Sequence, residues 1–133
     1  MATEGPYLAH TQSTAGVNLS PTAGLAGPNG SGQFLAVKET ASRVVGLANS
    51  GGEAIAGILQ NDPLAGQAAN IAFVGVSKAV AGAAVTAGAL LMTDTSARLI
   101  TATSTNVAVA KAIESAAGAN AVFTVLIIGN GKQ

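Results

Sequence analysis

The stretch "GILQNDPLAGQAANIAFVGV", residues 57–76, has two apolar runs on either side of a joint rich in Pro and Gly, and its only charged residue is Asp62. Short apolar runs bounded by turn residues are typical of β-strands. Pro63 and Gly66 favour a turn between the two runs. Gly75, inside the second run, suggests a bulge. We therefore predict two strands joined at residues 61–66.

The same pattern of short apolar runs and turn residues continues along the chain. Residues 49–53 ("NSGGE") predict a turn, and residues 94–97 ("DTSA") predict the turn of a hairpin. Many short strands with Gly-rich turns favour an all-β fold, here a small, compact β-barrel or sandwich. The predicted strands cover residues 34–39, 43–48, 54–60, 70–80, 89–93, 98–102, 107–113 and 121–128.

Two Ala-rich segments are ambiguous, because Ala is the best helix former. In residues 79–91 ("AVAGAAVTAGALL"), Gly82, Gly88 and several β-branched residues favour short strands and turns. Residues 114–120 ("ESAAGAN") predict one helical turn.

The first 33 residues differ in composition from the remainder. They are rich in Ser, Thr, Gly, Pro and Asn, with little hydrophobic periodicity, which is typical of a loop or an arm. We divide the chain into an extended N-terminal arm, residues 1–33, and a β-rich domain, residues 34–133. Composition alone leaves open whether the arm is a disordered terminus or is ordered by something else.

The composition of the 133 residues points to assembly with partners. Charged residues make up 9% and aromatic residues 3% of the chain, and 17 residues are Gly. Ala side chains bury little area, so a core of Ala, Val and Ile gains little from burial at roughly 25 cal/mol per Å². A surface with few charges also suits a free monomer poorly. We expect copies of the chain or a larger assembly to complete its stability.

Charge and hydropathy argue against nucleic acids and membranes as partners. Six basic and six acidic residues cancel, and the basic residues are scattered, whereas phosphate binding usually needs a basic cluster. The longest apolar stretches, residues 79–93 and 115–131, are interrupted by polar residues and Gly, and a spanning helix needs about 20 apolar residues. No secretory signal is visible, so we expect a soluble protein made in a cytoplasm.

The residues that could perform chemistry are few and dispersed. His10 is the only histidine and lies in the predicted arm, and the chain has no Cys. No pair of carboxylates has the spacing of a metal site or an acid–base pair, and we interpret Asp62 and Asp94 as turn residues. We therefore predict no catalytic, cofactor-binding or metal-binding residue, no small-molecule substrate and no enzymatic activity.

A carrier domain is one alternative. Residues 80–91 resemble the V-x-x-G-x-x-V-x-x-G-x-x-L pattern of biotinyl and lipoyl carrier domains, with Lys78 just before it. Such carriers present their modified Lys at a hairpin tip, flanked by Met, Asp or Ala. Beside Lys78, only Ala79 fits this pattern. Ordinary strands joined by tight turns, with Gly in the turns, explain the same pattern.

A second resemblance covers residues 55–128. Its segments are "GILQNDPLAGQAANIAFVGVSKAVAGAAVTAGALLMTDTSARLITAT" and "VAVAKAIESAAGANAVFTVLI". These resemble the small decoration, or cement, proteins of tailed-bacteriophage capsids, with an A-G-x-x-V-x-A-G-x-x-L segment, a D-x-x-G-x-[LV] hairpin and an A-[LI]-E-x-A-x-x-G turn. The chain departs from the pattern at Ala97, where the hairpin Gly often stands, and at Ala110-Lys111.

This resemblance implies a β-tulip fold on the outer surface of an icosahedral head. It implies a structural protein of the virion that binds the assembled capsid, cements neighbouring capsomers and stabilises the head against the pressure of packaged DNA. It further implies the major capsid protein and the chain itself, as a homotrimer, as partners. The arm is expected to contact the capsid and apolar faces of the domain to meet sister subunits; the arm residues we single out are Thr3, Tyr7, Leu8, His10, Val17 and Leu19. A base of a head fibre or a tail adhesin domain is the remaining alternative.

Overall fold

The computed structural model describes residues 7–15, 32–63 and 66–132. Within these ranges the chain is all-β and has no helix. The strands are β1 (Tyr7–Ala15), β2 (Ala36–Ala41), β3 (Val44–Leu47), β4 (Gly57–Leu59), β5 (Ala68–Val80), β6 (Leu90–Thr93), β7 (Leu99–Thr101), β8 (Val107–Ala112) and β9 (Val122–Lys132). The predicted fold class is therefore confirmed.

The nine strands form one sheet in the order β1-β3-β2-β4-β5-β9-β8-β6-β7. Strand β1 also pairs with β5, so that β1, β3, β2, β4 and β5 form a closed circuit of backbone pairing. Strands β9, β8, β6 and β7 extend the sheet from β5. All pairings between strands are antiparallel except the short parallel contact of β1 with β3.

The stretch that begins with Gly57 forms β4 and most of β5, as predicted. Strands β4 and β5 pair antiparallel, with Ile58 opposite Ala72 and Leu59 opposite Ile71. A Cβ on Gly57 would lie 2.2 Å from the carbonyl oxygen of Ala72. The close approach of the two backbones therefore requires Gly at the start of β4.

Strand β1 was not predicted from the polar composition of the first 33 residues. Its pairing with β5 runs from Tyr7, opposite Gly75, to Thr14, opposite Ala68, with two register shifts. Its end also pairs with the start of β3, where Thr14 lies opposite Val44. Residues 7–15 of the predicted arm thus belong to the sheet.

The core divides into two clusters of buried side chains. In the larger cluster, nine of the twenty buried residues described are Ala, and its largest side chain is Phe123. The smaller cluster lies among the strands of the closed circuit and consists of Val37, Val45, Leu59, Ala69 and Ile71. Ala thus supplies nearly half of the larger cluster, alongside Leu, Ile, Val and one Phe.

The two ambiguous segments contain no helix. Between β5 and β6, single bridges pair Ala81 with Leu99 and Val85 with Ala116, so residues 79–91 are strand and turn, as predicted. The helical turn predicted for residues 114–120 is wrong. The backbone of Ala116 instead exchanges two hydrogen bonds with Val85, of 2.9 and 3.0 Å, which are incompatible with a local helical turn.

Two predicted turns are fixed by carboxylates. The carboxylate of Glu53 accepts hydrogen bonds from Lys38 Nζ at 2.9 Å and from the N–H groups of Asn49 and Ser50 at 2.8 and 2.7 Å. Burial alone would raise the pKa of Glu53, but these hydrogen bonds and the charge of Lys38 outweigh it and lower the pKa. Asp94 Oδ1 accepts the N–H groups of Ser96 and Arg98, which confirms its predicted role in a turn.

Candidate interaction face

Strands β5, β9, β8 and β6 share a face that points away from the core. On β9 the side chains alternate, with Phe123, Val125 and Ile127 buried, Val122, Leu126 and Ile128 exposed and Thr124 partly exposed. Cross-strand partners lie on the same side of a sheet, so the register extends this outward side over four strands. We call it the outer face; it consists of Val74, Val76, Lys78, Leu90, Lys111, Ile113, Val122, Thr124, Leu126 and Ile128. The face ends at Val122, because Val80, which lies opposite it, is buried.

The register places these side chains in rows across the sheet. Val76 lies opposite Leu126, Leu126 opposite Lys111, and Lys111 opposite Leu90. A second row contains Lys78 and Thr124, whose carbonyl accepts the N–H of Ile113 at 3.0 Å. The outer face is therefore one continuous surface built on regular strands.

The outer face is unusually apolar for a surface exposed to water. Ile113 is 49% exposed, Ile128 48% and Val74 45%, and Leu90, Val122 and Leu126 also count as exposed. Contiguous apolar patches on a protein surface mark interaction sites. Burying such side chains is favourable at roughly 25 cal/mol per Å². This surface can therefore bind a partner.

The outer face carries two cations. Lys78 Nζ lies 3.4 Å from Thr124 Oγ1. The N–H of Thr124 donates to Glu114 Oε1 at 2.7 Å. Hydrogen bonds from the side chain and N–H of Thr124, together with the charge of Lys78, lower the pKa of the exposed Glu114. Among the described residues, Lys111 has neither a hydrogen bond nor an ion pair through its side chain.

Strand β1 begins at one border of the outer face. Tyr7 lies opposite Gly75 and Leu8 opposite Val74, which belongs to the outer face, whereas His10 lies further along, opposite Ile71. Thr3, Val17 and Leu19, the other residues predicted to contact a capsid, lie outside the described residues. The residues that precede Tyr7 are thus attached beside this face.

The remaining candidates for chemistry have local structural roles. Asp62 Oδ1 accepts the N–H of Gly32 at 3.2 Å. Lys78 lies within β5, opposite Thr124, and not at the hairpin tip that a carrier domain requires. The described residues hold no group of three His, Cys, Asp or Glu side chains that could bind a metal ion. Nor does any helix in this part of the chain have the length and hydropathy to cross a bilayer.

The sequence analysis did not identify the outer face. A signal was present in residues 121–128, "AVFTVLII", which are apolar almost throughout. A half-buried strand alternates apolar and polar residues, whereas a strand covered on both sides reads as a continuous apolar run. Strand β9 has the second pattern, although the described residues cover only one of its sides. The mismatch indicates a surface that something else covers.

Comparison with known proteins identifies relatives among phage structural proteins. A family described as phage cement protein matches residues 30–127. The crystal structure of the head fiber gp8.5 N base in bacteriophage phi29 is similar in fold, with a TM-score of 0.66 and 12% identity. The match covers 96% of this chain and all of that one. No curated protein matches the chain.

Proposed function

The chain belongs to the phage cement protein family, and from this membership we propose that it binds the outer surface of an assembled icosahedral phage head and cements neighbouring capsomers. The outer face carries this proposal, because it presents exposed apolar side chains on four paired strands. A protein that binds only the assembled shell stabilises it by mass action. No catalytic step is needed to resist the pressure of packaged DNA.

The N-terminal residues are proposed as a second contact with the major capsid protein. Tyr7 and Leu8 lie at the border of the outer face, and Thr3 precedes them in the sequence. A segment that extends from this border reaches the same partner as the outer face. We propose the same contact for His10, Val17 and Leu19, and association of the chain as a homotrimer on the head.

The test is co-sedimentation of the purified protein with expanded heads assembled without it, with light scattering to give its oligomeric state. We expect saturable binding at a fixed ratio to the major capsid protein. DNA-filled heads that carry the bound protein should also release their DNA at a higher temperature than DNA-filled heads without it. A protein that does not sediment with heads would show that capsid attachment is wrong.

A head-fibre base is the second candidate, favoured by the similarity in fold to the head fiber base of phi29. A fibre base also attaches to the head but has no need to strengthen it. The same experiment separates the two functions. Saturable binding that leaves the temperature of DNA release unchanged would favour the fibre base over the cement.

The contribution of the arm is tested with a chain that lacks residues 2–6. This deletion removes Thr3 and leaves β1 complete. We expect weaker binding to heads and an unchanged temperature of unfolding. Binding at full strength would contradict a contact through these first residues.

A further inference from the structure

We infer that the outer face docks on an apolar surface of the capsid shell that carries carboxylates, and that Lys111 forms an ion pair with one of them. This inference rests on the proposed function and specifies the chemistry of the partner. It concerns an interaction surface that the sequence did not reveal and whose position in the register is fixed by three strand pairings.

The position of Lys111 carries the argument. It lies on β8, which has a paired strand on each side, with Leu126 on one side and Leu90 on the other. An apolar partner that covered these leucines would also remove the ammonium group from water. Burial of an unpaired charge is strongly unfavourable, whereas an opposite charge on the partner offsets the loss of hydration. A partner that fits this surface therefore presents a carboxylate near Lys111.

Among the described residues, no carboxylate forms an ion pair with Lys111. The acidic group near the outer face, Glu114, accepts the N–H of Thr124 and interacts with the charge of Lys78. A second copy bound through the same surface about a two-fold axis would bring Lys111 close to its counterpart. Two like charges at the centre of an interface disfavour that arrangement. The charges thus disfavour a two-fold dimer of this chain through the outer face.

The start of β1 lies beside the outer face, which favours docking of the capsid on this side of the molecule. Leu8 lies opposite Val74, at the border of the outer face, so β1 begins beside this face. A capsid surface that covered the outer face would lie next to these residues. The two proposed contacts are therefore adjacent on one side of the molecule.

The test compares four proteins in co-sedimentation with heads assembled without this chain, at low and high salt. They are the wild type, Lys111→Glu, Lys111→Met and Arg43→Glu, which makes the same charge reversal in the turn between β2 and β3. We expect Lys111→Glu to weaken binding at least about tenfold. Lys111→Met should weaken it less and reduce its dependence on salt, and Arg43→Glu should bind as the wild type does. Lys111 is exposed, so thermal unfolding of its variants should match the wild type.

The outcomes separate this inference from the proposed function. If the wild type does not bind heads, the proposed function itself is wrong. If the wild type binds and Lys111→Glu binds equally well, capsid attachment stands and the inference about the outer face is wrong. If the Lys111 variants change the oligomeric state of the free protein, the outer face is an interface between copies and the inference is overturned.

Discussion

Ala97 has a backbone conformation that is rare for residues with a side chain. It lies in the turn between β6 and β7 with a φ of 64°. The left-handed conformation costs an Ala residue roughly 1 kcal/mol relative to Gly. The Cβ of Ala97 is buried in the larger core cluster, which offsets this cost at roughly 0.8 kcal/mol per buried methyl group. This balance explains how Ala can stand where the related hairpin pattern has Gly.

Substitutions of Ala97 test this balance. Ala97→Gly relieves the backbone but loses the buried methyl group and makes the unfolded chain more flexible. We expect its free energy of unfolding to stay within about 1 kcal/mol of the wild type. Ala97→Val places a β-branched residue at the same positive φ and should destabilise the protein by more than about 2 kcal/mol. Urea unfolding measures both values, and equal stability of the Val variant would contradict the backbone argument.

Glu53 gives the stability of the protein a dependence on pH. Its pKa is lower in the folded protein than in the unfolded chain, because three donated hydrogen bonds outweigh the effect of burial. A carboxylate of this kind stabilises the fold above its unfolded pKa, and the contribution is lost as the pH falls through the folded pKa. Glu53→Gln should therefore cost about 1 kcal/mol at pH 7.

The difference between Glu53→Gln and the wild type should begin to shrink near about pH 5 and continue to shrink below it. Urea unfolding at neutral and acidic pH measures this change. Glu39→Gln is the matched control, because the side chain of Glu39 is exposed on β2 and forms no hydrogen bond among the described residues. A Glu53→Gln effect that is the same at both pH values would show that the charge plays no part.

At the scale of single elements, β4 depends on one glycine. Gly57 lies so close to β5 that a Cβ would meet the carbonyl oxygen of Ala72 and the side chain of Ile71. Gly57→Ala must therefore separate two paired strands, and we expect a loss of at least about 2 kcal/mol. In Gly118→Ala the new Cβ would have no neighbour within 4 Å, so its stability should change by less than about 1 kcal/mol. Thermal unfolding of the two variants distinguishes a requirement at Gly57 from a general effect of replacing Gly.

The elements that the sequence predicted are those whose signals are local. The strand–turn–strand around Pro63 and the hairpin of β6 and β7 each contain their own turn residues, and both are confirmed. Strand β1 could not be predicted, because its stability comes from pairing with β5, about 60 residues further along the chain. The prediction of a helical turn at residues 114–120 is wrong for the same reason, since the backbone of Ala116 pairs with the distant Val85.

The outer face was missed because its recognition requires the register of four strands. Residues such as Leu90, Lys111 and Leu126 are far apart in sequence and form one row only after the strands pair. The sequence could show that β9 is apolar on both sides. It could not show which neighbouring side chains share the uncovered side, because that depends on non-local pairing.

The closed circuit of strands is a property of the whole molecule, and β1 completes it. Without β1, residues 68–75 of β5 and the start of β3 would lose the backbone partners on one of their two edges. Buried N–H and C=O groups without partners destabilise a fold. The stability of the β domain therefore depends on residues that the sequence analysis assigned to the arm.

Two deletions test whether β1 is part of the folding unit. Removal of residues 2–15 should lower the free energy of unfolding by roughly 3 kcal/mol or more and the melting temperature by on the order of 10 °C. It should also speed amide hydrogen exchange in residues 68–75, where β5 loses its partner. Removal of residues 2–6 keeps β1 and should leave both measurements unchanged. If the longer deletion unfolds like the full chain, β1 is not required by the fold, and residues 7–15 are then available for pairing with a capsid protein.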